Sequence, residues 1–236
     1  RPNPFSIRQP ARGYRFSIDA VLLADFAASY CGRTVLDLGT GSGVVLLLLS
    51  RMCPALRSGT GVEIQRELWE FARLNIEENG LAGKLAAVHG DFRLPLPGLA
   101  EGAFDLVVSN PPYRRIGEGR RNPDPQKEIA RHEVACTLPD LFRGAARYLS
   151  SRGRFVMVGL PQRLPEMFAC GAAAGIVPES LRFVHPYAEK PANLVLYAGS
   201  RRRAPDLVIL PPVVVYAGKR RYHPEVDSIY RGLLKK

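Results

Sequence analysis

One stretch, Asp37-Leu38-Gly39-Thr40-Gly41-Ser42-Gly43, constrains the fold of this chain more than any other feature. The apolar run Val35-Leu36-Asp37-Leu38 leads into it and predicts a short buried strand. Ser42 to Met52 follows, apolar from its start, and predicts a helix packed against a sheet. Glycines at alternate positions between a strand and a helix let the backbone turn through positive φ and approach a ligand closely. A dinucleotide-binding turn places its third glycine three residues after the second, whereas Gly43 comes two after Gly41; the spacing favours a ligand without a pyrophosphate.

The same rhythm runs on. Strands are expected at 59–64, 85–89, 104–109 and 154–160, and helices at 18–31, 66–79 (closed by Gly80), 138–149 and 165–174. Strands alternating with helices predict an α/β fold with a mostly parallel sheet and helices on both faces. Two short alternating runs, 181–185 and 194–198, split by a polar, proline-containing turn, predict a hairpin at the sheet's edge. The chain is expected to form a single domain over 1–236: an N-terminal extension and helix (1–32), a core (33–200) and a basic tail (201–236) too short to fold alone. Residues 114–131 are polar, rich in arginine, glycine and proline, and predict a long loop of the kind that usually carries function.

Several classes are disfavoured. No run of eighteen or more apolar residues appears, and Arg1 to Pro10 lacks the apolar stretch of a secretory signal, so a cytoplasmic protein that neither spans nor anchors to a membrane is expected. Cys31, Cys53, Cys136 and Cys170 stand too far apart for a zinc or redox motif; they are expected to be reduced, mostly in the core, with no metal bound. The net charge of +11 makes a polyanion, with RNA foremost, the expected partner.

Carboxylates close three successive strands. Asp37, beside the glycine turn, would accept hydrogen bonds from an ammonium and repel a phosphate, which favours an amino-acid moiety. Glu63, with Ile64 after it, stands where an acid commonly receives paired ribose hydroxyls. Asp91 is placed to bond an adenine amine, with Phe92 as a stacking face. In a doubly wound sheet such strand ends converge on one crevice, so Asp37, Gly39, Thr40, Gly41, Gly43, Glu63, Ile64, Asp91 and Phe92, with Asn110 after the fourth strand, are the candidate cofactor-binding residues. Asn110-Pro111-Pro112-Tyr113 follows the fourth strand. A ring or amide amine is a poor nucleophile because its lone pair is delocalised. The carboxamide oxygen of Asn110 and the carbonyl of Pro111 would each accept an N–H and localise that pair, two prolines would stiffen the geometry, and Tyr113 would stack on the target. No strong base is needed if the proton leaves after the transfer; His132 and Glu133 are read as structural.

The strand-end acids and glycine turn resemble the class I S-adenosylmethionine methyltransferases over roughly Thr34 to Ser200, which implies a Rossmann-like sheet of seven strands, the last antiparallel, and S-adenosylmethionine as cofactor. Asn110 to Tyr113 resembles the motif of amino-methyltransferases acting on adenine, guanine or glutamine amide nitrogens. Gly13-Tyr14-Arg15-Phe16-Ser17-Ile18-Asp19-Ala20-Val21-Leu22-Leu23-Ala24 resembles the opening of the bacterial valine-tRNA adenine-N6-methyltransferases. That resemblance implies a tRNA adenosine beside the anticodon as substrate, and Phe16, Ser17 and Asp19 closing over the cofactor. Arg114, Arg115, Arg120 and Arg121, with Arg201, Arg202, Arg203, Lys219, Arg220 and Arg221 in the tail, match a need to grip phosphates. Release-factor glutamine methyltransferases resemble chains with a helical domain ahead of this core, and ribosomal-RNA guanine enzymes carry a duplicated domain; a vestigial RNA-binding module is the non-enzymatic alternative.

Overall fold

The computed structural model describes residues 6–10, 17–112, 136–201, 206–218 and 221–234. Five parallel strands form the frame: β1 (Thr34–Leu38), β2 (Ser58–Glu63), β3 (Leu85–His89), β4 (Phe104–Ser109) and β5 (Leu149–Gly159). Beyond them come β6 (Val177–His185), β7 (Leu194–Ser200) and β8 (Val208–Val214), giving the order β3-β2-β1-β4-β5-β7-β6-β8. Only β7 runs against the rest of this sheet. Helices α1 (Ile18–Ala28) and α2 (Val44–Met52) pack on one face; α4 (Leu138–Tyr148) and α5 (Leu164–Ala174) pack on the other, and α3 (Arg66–Glu78) lies along β2 and β3.

The two faces explain the strand sequences. In β4, Leu106 and Val108 point into the cluster under α1 and α2 while Phe104 and Val107 join the cluster under α4. A strand apolar on both sides is what a doubly covered parallel sheet requires. Ser17 caps α1, its hydroxyl accepting from Asp19 N, and Thr137 and Asp140 form a reciprocal cap at the start of α4. No helix among the described residues is long and apolar enough to cross a membrane.

Three expectations are corrected. The sheet has eight strands rather than seven, because β8 pairs in parallel with β6 and covers the outer side of the β6–β7 hairpin, which therefore does not form the edge. Its two prolines, Pro211 and Pro212, hide it in the sequence; proline cannot donate to a ladder and is tolerated at an edge such as this. In the tail, β8 is followed by a small hairpin, β9 (Tyr216–Gly218) with β10 (Arg221–Tyr222), and by α6 (Pro224–Leu234). Finally, Cys31 and Cys53 are paired as a disulfide across a Cα–Cα distance of 6.2 Å; α1 and α2 lie side by side and end together, so residues 22 apart in sequence meet. Cys136 and Cys170 are free thiols.

A strap at residues 6–10 crosses α3 through side-chain amides that imitate a neighbouring strand. The fully buried Asn75 accepts from Arg8 N at 2.7 Å and donates to Arg8 O and to Ser42 O, each at 2.9 Å. One turn on, Asn79 exchanges the same pair of bonds with Ser6. Asn75 thus joins the strap to the glycine turn. Asn75→Ala would leave Ser42 O unpaired in the interior and release the Arg8 backbone, and is expected to cost about 2–4 kcal/mol in urea unfolding; a loss below about 1 kcal/mol would mean that these bonds do not hold the strap.

Candidate active site

The glycine turn is built as its sequence requires. Gly39, Gly41 and Gly43 have φ of 73°, 57° and 83°, left-handed values that favour glycine. Val62 O receives both Gly39 N and Thr40 N, and Glu63 Oε2 receives Gly41 N at 2.9 Å, so the turn folds back over the end of β2. Gly61 leaves the room for this: a Cβ there would stand 2.6 Å from the Thr40 side chain.

A cavity opens above these strand ends. It is lined by Asp37, Gly39, Thr40, Gly41, Glu63, Ile64, Phe92, Asn110, Pro111 and Pro112, all candidates from the sequence. Asp91 lines an adjoining recess with Gly39, Ile64 and Phe92. Gly43 lies behind the turn as the N-cap of α2, and Ser17 and Asp19 sit at the start of α1, whose next residue, Ala20, reaches the cavity. Phe16, Tyr113, Arg114, Arg115, Arg120, Arg121, His132, Glu133, Arg202, Arg203, Lys219 and Arg220 lie outside the described residues.

Some lining groups carry no local sequence signal. Ser109 donates its hydroxyl to Leu38 O at 2.7 Å, which ties β4 to β1 immediately before Asn110 and fixes where that residue emerges. Gln65, Leu68, Cys136 and Leu141 complete the walls. Burial pushes the Cys136 thiol up to about 12, so it is an inert wall rather than a nucleophile. Among the described residues, no group of three or more His, Cys, Asp or Glu could hold a metal ion.

The acids differ in state. Asp37 is 1% exposed; its Oδ2 accepts from Thr40 Oγ1 at 2.6 Å, and its Oδ1 is buried with no partner. Burial lifts its carboxyl to about 7, against the lowering effect of the Thr40 bond and with a further push from Glu63. Burial also raises Glu63, whose oxygens accept from the backbone N–H of Gly41 and Gln65. Asp91 goes the other way: the Arg93 guanidinium grips both of its oxygens and lowers its pKa. It thus reaches the recess already paired, and any amine must share it with Arg93.

The state of Asp37 makes stability depend on pH. A carboxyl whose folded pKa lies above its unfolded value stabilises below the unfolded value, near 3.8, and loses that contribution as pH rises toward about 7. Between pH 4 and 7.5 the protein is expected to lose on the order of 4 kcal/mol more stability than Asp37→Asn does, measured by denaturant unfolding at several pH values; parallel curves would contradict it.

The arginines of the tail divide. Arg201 follows the last residue of β7, Ser200, which pairs with Arg154 near the start of the parallel run of β5. It therefore stands at the opposite end of the sheet from Asn110, where its guanidinium donates to Ala146 O and Leu149 O. The reversed direction of β7 thus sets Arg201 apart from the cavity that Asn110 lines. Arg221 is exposed on β10, in the segment that leaves β8 at the Asn110 end.

Known proteins resemble this chain in sequence and in fold. The family described as "Methyltransferase small domain" matches residues 16–167. A protein of Pedobacter heparinus named tRNA1(Val) (adenine(37)-N6)-methyltransferase is 32% identical over 235 residues, covering 98% of this chain and 94% of its own. A protein of the same name from Porphyromonas gingivalis is 30% identical over 94% of this chain and 89% of its own. In fold, the crystal structure of a predicted O-methyltransferase from Agrobacterium tumefaciens matches with a TM-score of 0.71 at 23% identity, covering 91% of this chain and 96% of that one.

Proposed function

We propose, from the premise that the chain belongs to the methyltransferase small-domain family, that it transfers a methyl group from S-adenosylmethionine to the N6 amine of an adenosine in tRNA. The observation that carries this is that Asn110, Pro111 and Pro112 line the same cavity as the glycine turn, Asp37 and Glu63. Relatives near 30% identity over almost the whole chain bear a tRNA adenine-N6-methyltransferase name, which supports adenine over guanine or glutamine.

The residues fit the cofactor. The orphaned Oδ1 of Asp37 is an acceptor suited to an ammonium, Glu63 suits paired hydroxyls, and Ile64 and Phe92 offer apolar faces for a base. When bound, S-adenosylmethionine supplies an electrophilic methyl on a sulfonium. Asn110 Oδ1 and Pro111 O each accept an N–H of the adenine amine, which turns its lone pair out of the ring. Attack by that nitrogen would break the methyl's bond to sulfur and leave a neutral thioether, and the nitrogen's surplus proton would pass to solvent. An anticodon-loop adenine is unpaired, so extruding it costs less than flipping a duplex base. The cytoplasm, where tRNA is modified, is the compartment this reading implies.

Labelled S-adenosylmethionine incubated with the protein and total tRNA, followed by digestion to nucleosides, should yield labelled N6-methyladenosine. Label in N2-methylguanosine, or in a protein glutamine and in no RNA, would reject the reading.

A further inference from the structure

Four tyrosines form a staircase at the Asn110 end of the sheet. Gly159 of β5 pairs with Val195 of β7, Val184 of β6 with Leu194, and His185 with Val214 of β8. The loop after β6 and the segment after β8 therefore both leave the sheet at the end where β4 delivers Asn110. Tyr187 lies in the first and Tyr216 and Tyr222 in the second, where Tyr222 stands opposite Tyr216 across the β9–β10 hairpin; Tyr230 comes from α6.

The rings are in sequence. Tyr187 and Tyr216 have centroids 5.5 Å apart and tilted by 36°, Tyr216 and Tyr222 are stacked at 5.5 Å and 13°, and Tyr222 and Tyr230 at 5.2 Å and 16°. The two nearly parallel pairs are offset at those separations; Tyr216 and Tyr230 also pack against the core, which leaves Tyr222 as the exposed member. Tyr222 is 38% exposed, one of the few large apolar side chains among the described residues that is. Tyr230 is close enough to Asp19, in the first turn of α1, for that carboxylate to act on its phenol, and Ala20 beside it lines the cavity.

The stretch that carries Tyr222 and Tyr230 is basic in sequence: 219–236 holds six basic side chains and two acidic ones. Both acids are paired, Glu225 with Arg182 and Asp227 with Arg231, while Arg221 is exposed next to Tyr222. Aromatic faces interleaved with unopposed positive charge are the recognition chemistry of unpaired nucleotides, since every base has a π face and every linkage a phosphate. From β4 to β8 is four strand steps of about 4.8 Å, roughly 19 Å, within reach of a few nucleotides from the target.

We propose that the Tyr187–Tyr216–Tyr222–Tyr230 staircase is a stacking platform for unpaired RNA bases that flank the adenine held at Asn110. This rests on the RNA reading above. The test measures binding of a fluorescein-labelled twelve-nucleotide oligouridylate by anisotropy over a salt series, with S-adenosylhomocysteine affinity as a check on the fold. Tyr187→Leu, at the end of the stack, and Tyr222→Leu are each expected to weaken binding about tenfold, while Tyr187→Phe and Tyr222→Phe stay within about twofold. The salt slope should not change, because no phosphate contact is removed. Should Tyr222→Leu lose S-adenosylhomocysteine binding, Tyr187→Leu alone decides. Leucine variants that bind as the wild type does, phenylalanine variants as weak as leucine, or a shallower salt slope would overturn the platform. Wild-type methylation of tRNA assayed alongside separates the two claims: no transfer to RNA sinks both, whereas normal transfer with an unchanged KM in the leucine variants sinks the platform alone.

Discussion

Replacing Asn110 by alanine is expected to slow methyl transfer by about a hundredfold or more at saturating cofactor while S-adenosylhomocysteine affinity stays within about threefold. The residue emerges from β4 immediately after Ser109, whose hydroxyl is anchored to Leu38 O, so its position is fixed by the same strand pair that carries Asp37. An acceptor held in place acts only as the amine's lone pair is localised; its loss falls on kcat rather than on cofactor binding. Asn110→Asp separates orientation from charge, because a carboxylate still accepts; it should retain more activity than alanine. Single-turnover kinetics with labelled cofactor make the comparison. Alanine that transfers methyl at the wild-type rate would remove Asn110 from the chemistry.

Glu63→Ala should have the opposite signature. Its carboxylate holds Gly41 N and Gln65 N, each at 2.9 Å, and on the proposed reading also takes two ribose hydroxyls. Truncation therefore loosens the turn and removes two charge-assisted bonds of about 1.5–3 kcal/mol each. Cofactor Kd, measured by calorimetry, is expected to rise about a hundredfold or more, with kcat at saturation much less affected. Glu63→Gln keeps the shape and offers one acceptor oxygen, so it should fall between. A Kd within a few-fold of wild type for alanine would show that the second strand end does not hold the cofactor.

The frame of the fold was readable because its signals are local. Three alternate glycines, acids at successive strand ends and a proline pair after β4 are statements about neighbouring residues, and the doubly wound sheet brings Gly39, Gly41, Asp37, Glu63 and the proline pair to one cavity, with Asp91 in an adjoining recess. What the sequence withheld depends on partners far along the chain. Asn75 looks like any helical asparagine, yet it joins Arg8 to Ser42. Asp91 is the local exception, since Arg93, only two residues on, reaches back and claims its oxygens. Cys31 meets Cys53 only because α1 and α2 end together. Pro211 and Pro212 disguise β8 as coil, and with it the edge that carries Tyr216 and Tyr222 to the Asn110 end. The reversal of β7, which sends Arg201 to the far end, is set by sheet pairing and not by composition.

The central claim is spatial: the cofactor's sulfur and Asn110 share one cavity, with Asp37 and Glu63 holding the rest of the molecule. The direct measurement is a crystal structure with S-adenosylhomocysteine bound. The account expects its amino group against Asp37 Oδ1, its ribose on Glu63 and its sulfur facing the Asn110 carboxamide. A ligand seated elsewhere, or an Asn110 side chain turned out of the cavity with the ligand in place, would contradict it.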